Sequence, residues 1–496
     1  MADDIRISGV GAWIVLITSM LILVVVVAIA IASLIVVPRN RRPQSALAWL
    51  LLIYTLPLIG FLLFLMLGSR RLPKRRREQQ DEINTYILET TEGMDRVSKD
   101  SPWPPWLEPI VELNRNLGAM PLVGGNTARL FTDYTESIAA MTDAVRGAQR
   151  SVHVEFYIMS VDDETEPFFA ALGEAAARGI PVKVLYDHVA SVRVKGYRRM
   201  RRRLDAIGAE HHPMLPVRPF RGQWQRPDLR NHRKFLIVDG AIGFTGSQNL
   251  IERGYKRGRR RDGSRLAWKE LMVRFEGPIV AGIDALFATD WYSETNELLL
   301  RETSTTPVID PGRGLDAQVV PSGPAFEGEN NLRLFNSLVY AAQEQIQICS
   351  PYFVPDESML YAITTAAQSG LDVQLFVSEI GDQTLVFHAQ RSYYEELLRA
   401  GVRIWLYRAP TILHAKHFTI DDEVAIIGSS NMDMRSFSLN LEVSVMVRGE
   451  SIIRELRAIE QTYRENSREL TLDQWLQRPA HMRIFDDLAR VTATVQ

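Results

Sequence analysis

Residues 231–249 read NHRKFLIVDGAIGFTGSQN, and residues 413–431 read LHAKHFTIDDEVAIIGSSN. Both fit His-x-Lys, four residues, Asp, six residues, Gly-Ser-x-Asn. The first copy holds His232, Lys234, Asp239, Gly246, Ser247 and Asn249; the second holds His414, Lys416, Asp421, Gly428, Ser429 and Asn431. So long a pattern, repeated at identical spacing, is an internal repeat. Each copy begins as a β-branched, apolar run bounded by turn residues, which reads as a strand. Alternate residues of a strand share a face. His232 and Lys234 therefore point together, as do His414 and Lys416, while Arg233 and His417 point away. A second strand (AIGFTGS, VAIIGSS) brings Ser and Asn to the same mouth through a glycine that lets backbone approach a ligand.

An imidazole, a fixed cation and an amide, supplied twice, suit a phosphate ester. Two sets imply two displacements. One imidazole attacks phosphorus and the second protonates the leaving alkoxide; the second then deprotonates the incoming alcohol or water, which cleaves the phosphohistidine. The lysines and asparagines hold the non-bridging oxygens. The lysines supply the positive charge, so neither metal nor other cofactor is expected. The adjacent pair His211–His212, the opposed His414 and His417, and a single cysteine do not make a metal site.

The surroundings repeat as well. RSVHVEFYIM, a helix with AALGEAAARG and then IPVKVLYDH match EQIQICSPYF, a helix with YAITTAAQSG and then LDVQLFVSE. Strand, helix ending at Gly179 or Gly370, strand is a βαβ unit with parallel strands. The expected body is two pseudo-two-fold halves, 119–300 and 301–496, with one active site at their seam. Residues 78–118, polar and then Pro/Trp-rich, read as a linker with some helix.

The chain has 496 residues, a net charge of −2 and one cysteine. That length suits several units. Cys349 alone excludes a disulfide framework and reads as a buried small hydrophobe. Residues 1–77 read as a membrane hairpin, because two apolar stretches, about 11–37 and 45–69, are uncharged and long. The acidic start (Asp3, Asp4) argues against a signal peptide. Arg70, Arg71, Lys74, Arg75, Arg76 and Arg77 after the second stretch favour a cytoplasmic body. Arg39, Arg41 and Arg42 in the connector conflict with two crossings. Either the connector is carried outward, or the second stretch is re-entrant at Pro57 and Gly60 and the connector stays inside.

With the two signatures, EFYIMSVDDE (155–164), SPYFVPDE (350–357) and NMDMRSFSLNLEVSV (431–445), the chain resembles the phospholipase D superfamily, and within it the bacterial cardiolipin synthases. The resemblance covers almost the whole chain. It implies an α/β fold of two pseudo-two-fold-related phospholipase D-like α/β/α repeats behind an N-terminal transmembrane helical hairpin. It implies a multi-pass protein of the bacterial cytoplasmic membrane that joins two phosphatidylglycerol molecules into cardiolipin and glycerol. His232 is assigned as nucleophile and His414 as acid/base. The resemblance also implies a carboxylate that fixes each catalytic imidazole, here Glu270 and Glu442. Asp239 and Asp421 belong to the catalytic signature but read as supports. Ser247 and Ser429 serve a phosphate or a partner carboxylate.

Two basic runs remain, Arg193–Arg203 and Arg253–Arg261. The second is an insertion containing Arg253, Lys256, Arg257, Arg259, Arg260 and Arg261, and both suit docking on an anionic membrane. Nucleic acid is not expected as a partner, because Tyr197 and Tyr255 are too few for a stacking platform. A membrane-bound hydrolase, a tethered nuclease and a non-catalytic lipid-binding scaffold are the alternatives. Two intact His/Lys sets argue against the scaffold.

Overall fold

The computed structural model describes residues 2–39, 41–69, 71–92, 103–218, 220, 223, 225–255, 266–299, 314–326 and 328–491. The chain divides into two units, residues 1–70 and 71–496.

In the first unit, helix α1 (Ala2–Val36) contains a stretch, Val15–Val36, that alone among the described helices is long and apolar enough to cross a membrane. The 45–69 stretch is not one helix. It is α2 (Pro43–Thr55, 13 residues) and α3 (Pro57–Leu67, 11 residues), separated at Leu56 before Pro57. The residue before a proline is driven out of the helical region, and Leu56 sits at φ −133°, ψ 73°. Helix α3 folds back on α2. The Phe64 ring lies 5.5 Å from that of Trp49 on α2 and 4.8 Å below the guanidinium of Arg41, ahead of α2. Gly60 permits this closeness, since a Cβ there would lie 2.8 Å from Ile53 Cα. Arms of 13 and 11 residues reach about 20 and 17 Å, short of the roughly 30 Å hydrocarbon layer. Near the tip, the Tyr54 hydroxyl donates to the carbonyl of Ala30 (3.4 Å), six residues before the end of α1.

In the second unit one sheet runs through the whole body. From its edge to the seam, the first half orders its strands Glu210–Met214, Val182–Asp187, Val152–Phe156, Lys234–Val238, Ile242–Gly246, Met272–Glu276 and Leu122–Phe131. The second half repeats the order: Arg403–Tyr407, Asp372–Ser378, Gln345–Cys349, His417–Ile420, Val424–Gly428, Asn440–Arg448 and Leu315–Ser322, with Ser467–Leu470 added outside. The last strands of the two series pair antiparallel and close the seam. Both βαβ units have parallel strands, as their crossover helices require. Apolar faces of sheet and helices form the cores on either side.

Residues 78–118 are more than a linker. The helix Leu107–Gly118 buries Leu107, Ile110 and Val111 in the core of the second half, and Asn114 Nδ2 donates to Gln318 Oε1 at 3.0 Å. The helix Lys74–Thr90 is pinned by Arg76, whose guanidinium grips Glu294 through two bonds of 2.9 and 3.0 Å. The apolar spacing of Leu107, Ile110 and Val111 is a helical signal, which the Pro/Trp-rich stretch before it masks in the composition.

Candidate active site

The backbone puts the histidines where they are. Neither His-x-Lys lies within a long strand. The strands start at Lys234 and His417, so His232 and His414 sit in short links just before them. Each link is stitched to the opposite half. Arg230–Asn231 pairs in parallel with Asn440–Leu441, and His232 N donates to Leu441 O at 2.8 Å. Thr411–Leu413 pairs in parallel with Ala267–Lys269, and His414 N donates to Lys269 O at 2.7 Å.

The stitching delivers the carboxylates crosswise. His232 Nδ1 is 2.9 Å from both oxygens of Glu442, and His414 Nδ1 is 2.8 and 2.9 Å from those of Glu270. Each imidazole is thus oriented by a glutamate from the other half, with its Nε2 left for a substrate. Ser247 Oγ donates to Glu270 (2.6 Å) and Ser429 Oγ to Glu442 (2.5 Å). The serine hydroxyls therefore hold the carboxylates rather than point at a phosphate. Gly246 and Gly428 allow it, because a Cβ at either would collide with the backbone oxygen of Leu271 or Val443.

Lys234 Nζ donates to His232 O (2.6 Å) and Lys416 Nζ to His414 O (2.8 Å), and Lys416 Nζ also stands 3.2 Å from His414 Nε2. Asn249 Oδ1 accepts from Ile158 N at 3.2 Å, and its side chain also hydrogen-bonds Tyr255 at the cavity wall; Asn431 Oδ1 is buried without a hydrogen-bond partner. Both asparagines and both histidines line one cavity of about 1150 Å³. Tyr157 and Tyr352, which lie outside both signatures, line it too. Their rings stand edge-on to His232 (4.7 Å) and His414 (6.3 Å). The signal was their matched position, EFY and SPY, after equivalent strands.

Asp239 and Asp421 are not brought to this cavity. They end the strand turns beyond Lys234–Val238 and His417–Ile420. Asp239 accepts backbone N–H groups from Gln149, Arg150 and Ser151, and Asp421 those of Gln343, Glu344 and Gln345. These carboxylates lock the start of each βαβ unit. Arg233 and His417 do face away, toward Asp290 and Glu460 on the covering helices. Of the basic insertion, residues 256–261 lie outside the described residues. Arg253 is described, with its backbone N–H donating to Glu164 at 2.5 Å.

Burial governs the electrostatics. It pushes the His232 imidazole down to about 4 against the opposing pull of Glu442, and His414 falls well below its usual value, with Lys416 adding to burial. Burial also lowers Lys234 to about 7 and Lys416 to about 8. The two glutamates part company. Burial raises Glu270 to about 7, whereas for Glu442 the burial penalty is outweighed by its pairing and hydrogen bond with His232, by Lys234 and by the Ser429 hydroxyl, which hold the carboxyl below its usual range. Burial thus disfavours the charged form of both imidazoles and both lysines, and an anionic phosphate placed among them would restore it. Among the described residues no group of three or more His, Cys, Asp or Glu side chains could hold a metal ion.

A duplicated α/β body with both signatures at one seam defines a protein of the phospholipase D class. The family model described as "Cardiolipin synthase, PLD-like domain" matches residues 141–291 and 336–462, and "Phospholipase_D-nuclease N-terminal" matches 22–69. The chain belongs to the cardiolipin synthase family, whose members are phosphatidyltransferases. It is 32% identical over 457 residues to cardiolipin synthase A of Proteus mirabilis, covering 90% of this chain and 92% of that one. It is 32% identical to the cardiolipin synthase of Geobacillus kaustophilus, covering 92% and 90%. The crystal structure of phosphatidylserine synthase from Haemophilus influenzae shares the fold at a TM-score of 0.58 and 14% identity, over 77% of this chain and 98% of that one.

Proposed function

We propose that this enzyme joins two phosphatidylglycerol molecules, releasing glycerol, by a double displacement at His232 and His414. The observation that carries this reading is the crossed pairing of two imidazoles with Glu442 and Glu270 over one cavity. His414 takes up a proton when the anionic phosphate of the donor binds beside it; His232 Nε2 then attacks the donor phosphorus while His414 gives that proton to the departing glycerol oxygen. The terminal hydroxyl of the second lipid then gives its proton to His414 and attacks phosphorus, and the bond to His232 breaks. The ionised Glu442 supports the cation that forms on His232. Glu270, raised to about 7, offers His414 less charge and leaves it the better proton donor. Lys234, Lys416, Asn249 and Asn431 hold the non-bridging oxygens, which carry most charge in the transition state.

The same reading places the body on the cytoplasmic side of the bacterial membrane, with anionic phospholipid as its substrate surface. The anchor geometry favours one crossing by α1 and a re-entrant α2–α3 hairpin over two crossings. Arg39, Arg41 and Arg42 then share a side with the Arg70–Arg77 cluster, and the positive-inside conflict disappears.

The roles are tested by His232→Ala and His414→Ala. Each should abolish turnover with an unchanged melting curve. With a donor carrying a good leaving group, the His414 variant should accumulate a phosphatidyl adduct that mass spectrometry maps to His232. An adduct on His414 alone in the His232 variant would reverse the order, and substantial turnover by either variant would end the two-histidine account.

A further inference from the structure

The C-terminal helix Ala480–Val491 is amphipathic but carries its apolar stripe outward. Its inward face is held by charge. Asp486, fully buried, accepts from His388 (2.7 Å) and Arg391 (3.2 Å) and lies 3.6 Å from Arg478. Ala489 is the buried small contact beside it. Ile484, Leu488 and Val491 follow at i, i+4 and i+7, so they form one stripe. They are 61, 62 and 78% exposed, and Phe485 at the edge is 45% exposed. A helix on a water-facing surface turns such a stripe to the core. This one spends a buried ion-pair cluster to do the reverse.

We infer that Ile484, Leu488 and Val491 insert into the surface of the phospholipid bilayer and seat the active-site cavity on it. Three observations choose lipid as the occupant. The helix rests on the helix Thr384–Arg391 through Asp486, and the leading residues of that helix, Thr384, Leu385 and Val386, line the catalytic cavity. Leu385 is itself 45% exposed, so apolar surface recurs at the wall through which a lipid must pass. The apolar span of the same chain keeps a bilayer at hand. The inference rests on the lipid-substrate reading for the identity of that surface.

The full chain offers a clean test, because Cys349, its only cysteine, is buried and escapes labelling. Leu488→Cys and Ile484→Cys are each labelled with an environment-sensitive fluorophore, alongside Arg454→Cys, whose side chain is 72% exposed on another helix. The proteins are placed in nanodiscs of phosphatidylglycerol and phosphatidylcholine containing lipids with a doxyl quencher on the upper acyl chain. Labels at 484 and 488 should be quenched and that at 454 should not. Absence of quenching at 484 and 488 overturns the proposal. So does unquenched label at 488 with cross-linking between Leu488→Cys copies, which would assign the stripe to a second copy of this chain. Quenching in an enzyme that makes no cardiolipin would sink the functional reading and leave this one standing.

Discussion

Asp421 turns the chain at φ 48°, and Asp239 does the same at φ 57°. Asp and Asn are the non-glycine residues that best tolerate this region, and only Asp adds a charge for three backbone N–H groups. Their place in the signature, seven residues before the glycine, records a fold requirement carried along with the chemistry. Asp421→Asn keeps the turn and removes the charge. It should lower stability by about 1–3 kcal/mol while kcat stays near wild type; thermal melting and turnover together check it. The lysines behave differently. In the proposed mechanism they must be charged to hold a phosphate, and a lowered ammonium pKa means the charge is lost earlier as pH rises. With Lys234 at about 7 and Lys416 at about 8, kcat/KM, which reports the free enzyme, should fall across that window. A profile flat through it would show the lysines to be better solvated than their burial implies.

At the scale of elements, the repeated strand–helix–strand units could be read because period-two apolar runs and terminal glycines are local signals. The breaks before Lys234 and His417 could not, since Arg230–Asn231 and Thr411–Leu413 pair with strands of the other half, and no local spacing encodes so distant a partner. For the same reason Glu270 and Glu442 could be picked out but not matched to His414 and His232. Hydropathy likewise gave two equal stretches at the N-terminus, while Pro57 decided the geometry. The hairpin makes a definite topological prediction. In intact cells a membrane-impermeant maleimide should label Asp4→Cys and spare Gln44→Cys, because one crossing separates them. Labelling of neither, with both accessible after the cytoplasmic face is opened, would mean that α1 does not cross and would overturn the proposed anchor.

At the scale of the molecule, one continuous sheet joins the halves, and the site exists only where they meet. The serine that holds Glu442 belongs to the second signature while the histidine that Glu442 orients belongs to the first, so each half completes the other. Two equivalent imidazoles would make a symmetric site. The opposite displacements of Glu270 and Glu442 break that symmetry, and the proposed order of events assigns covalent bonding to the ring beside Glu442 and proton transfer to the ring beside Glu270. The measurement closest to the centre of this account is product analysis of the purified full chain in detergent with phosphatidylglycerol alone, in the presence of a chelator and without nucleotide. The account predicts cardiolipin and free glycerol in equal amounts at an undiminished rate. Phosphatidic acid as the only lipid product, or a requirement for a cytidine nucleotide-linked lipid, would contradict it.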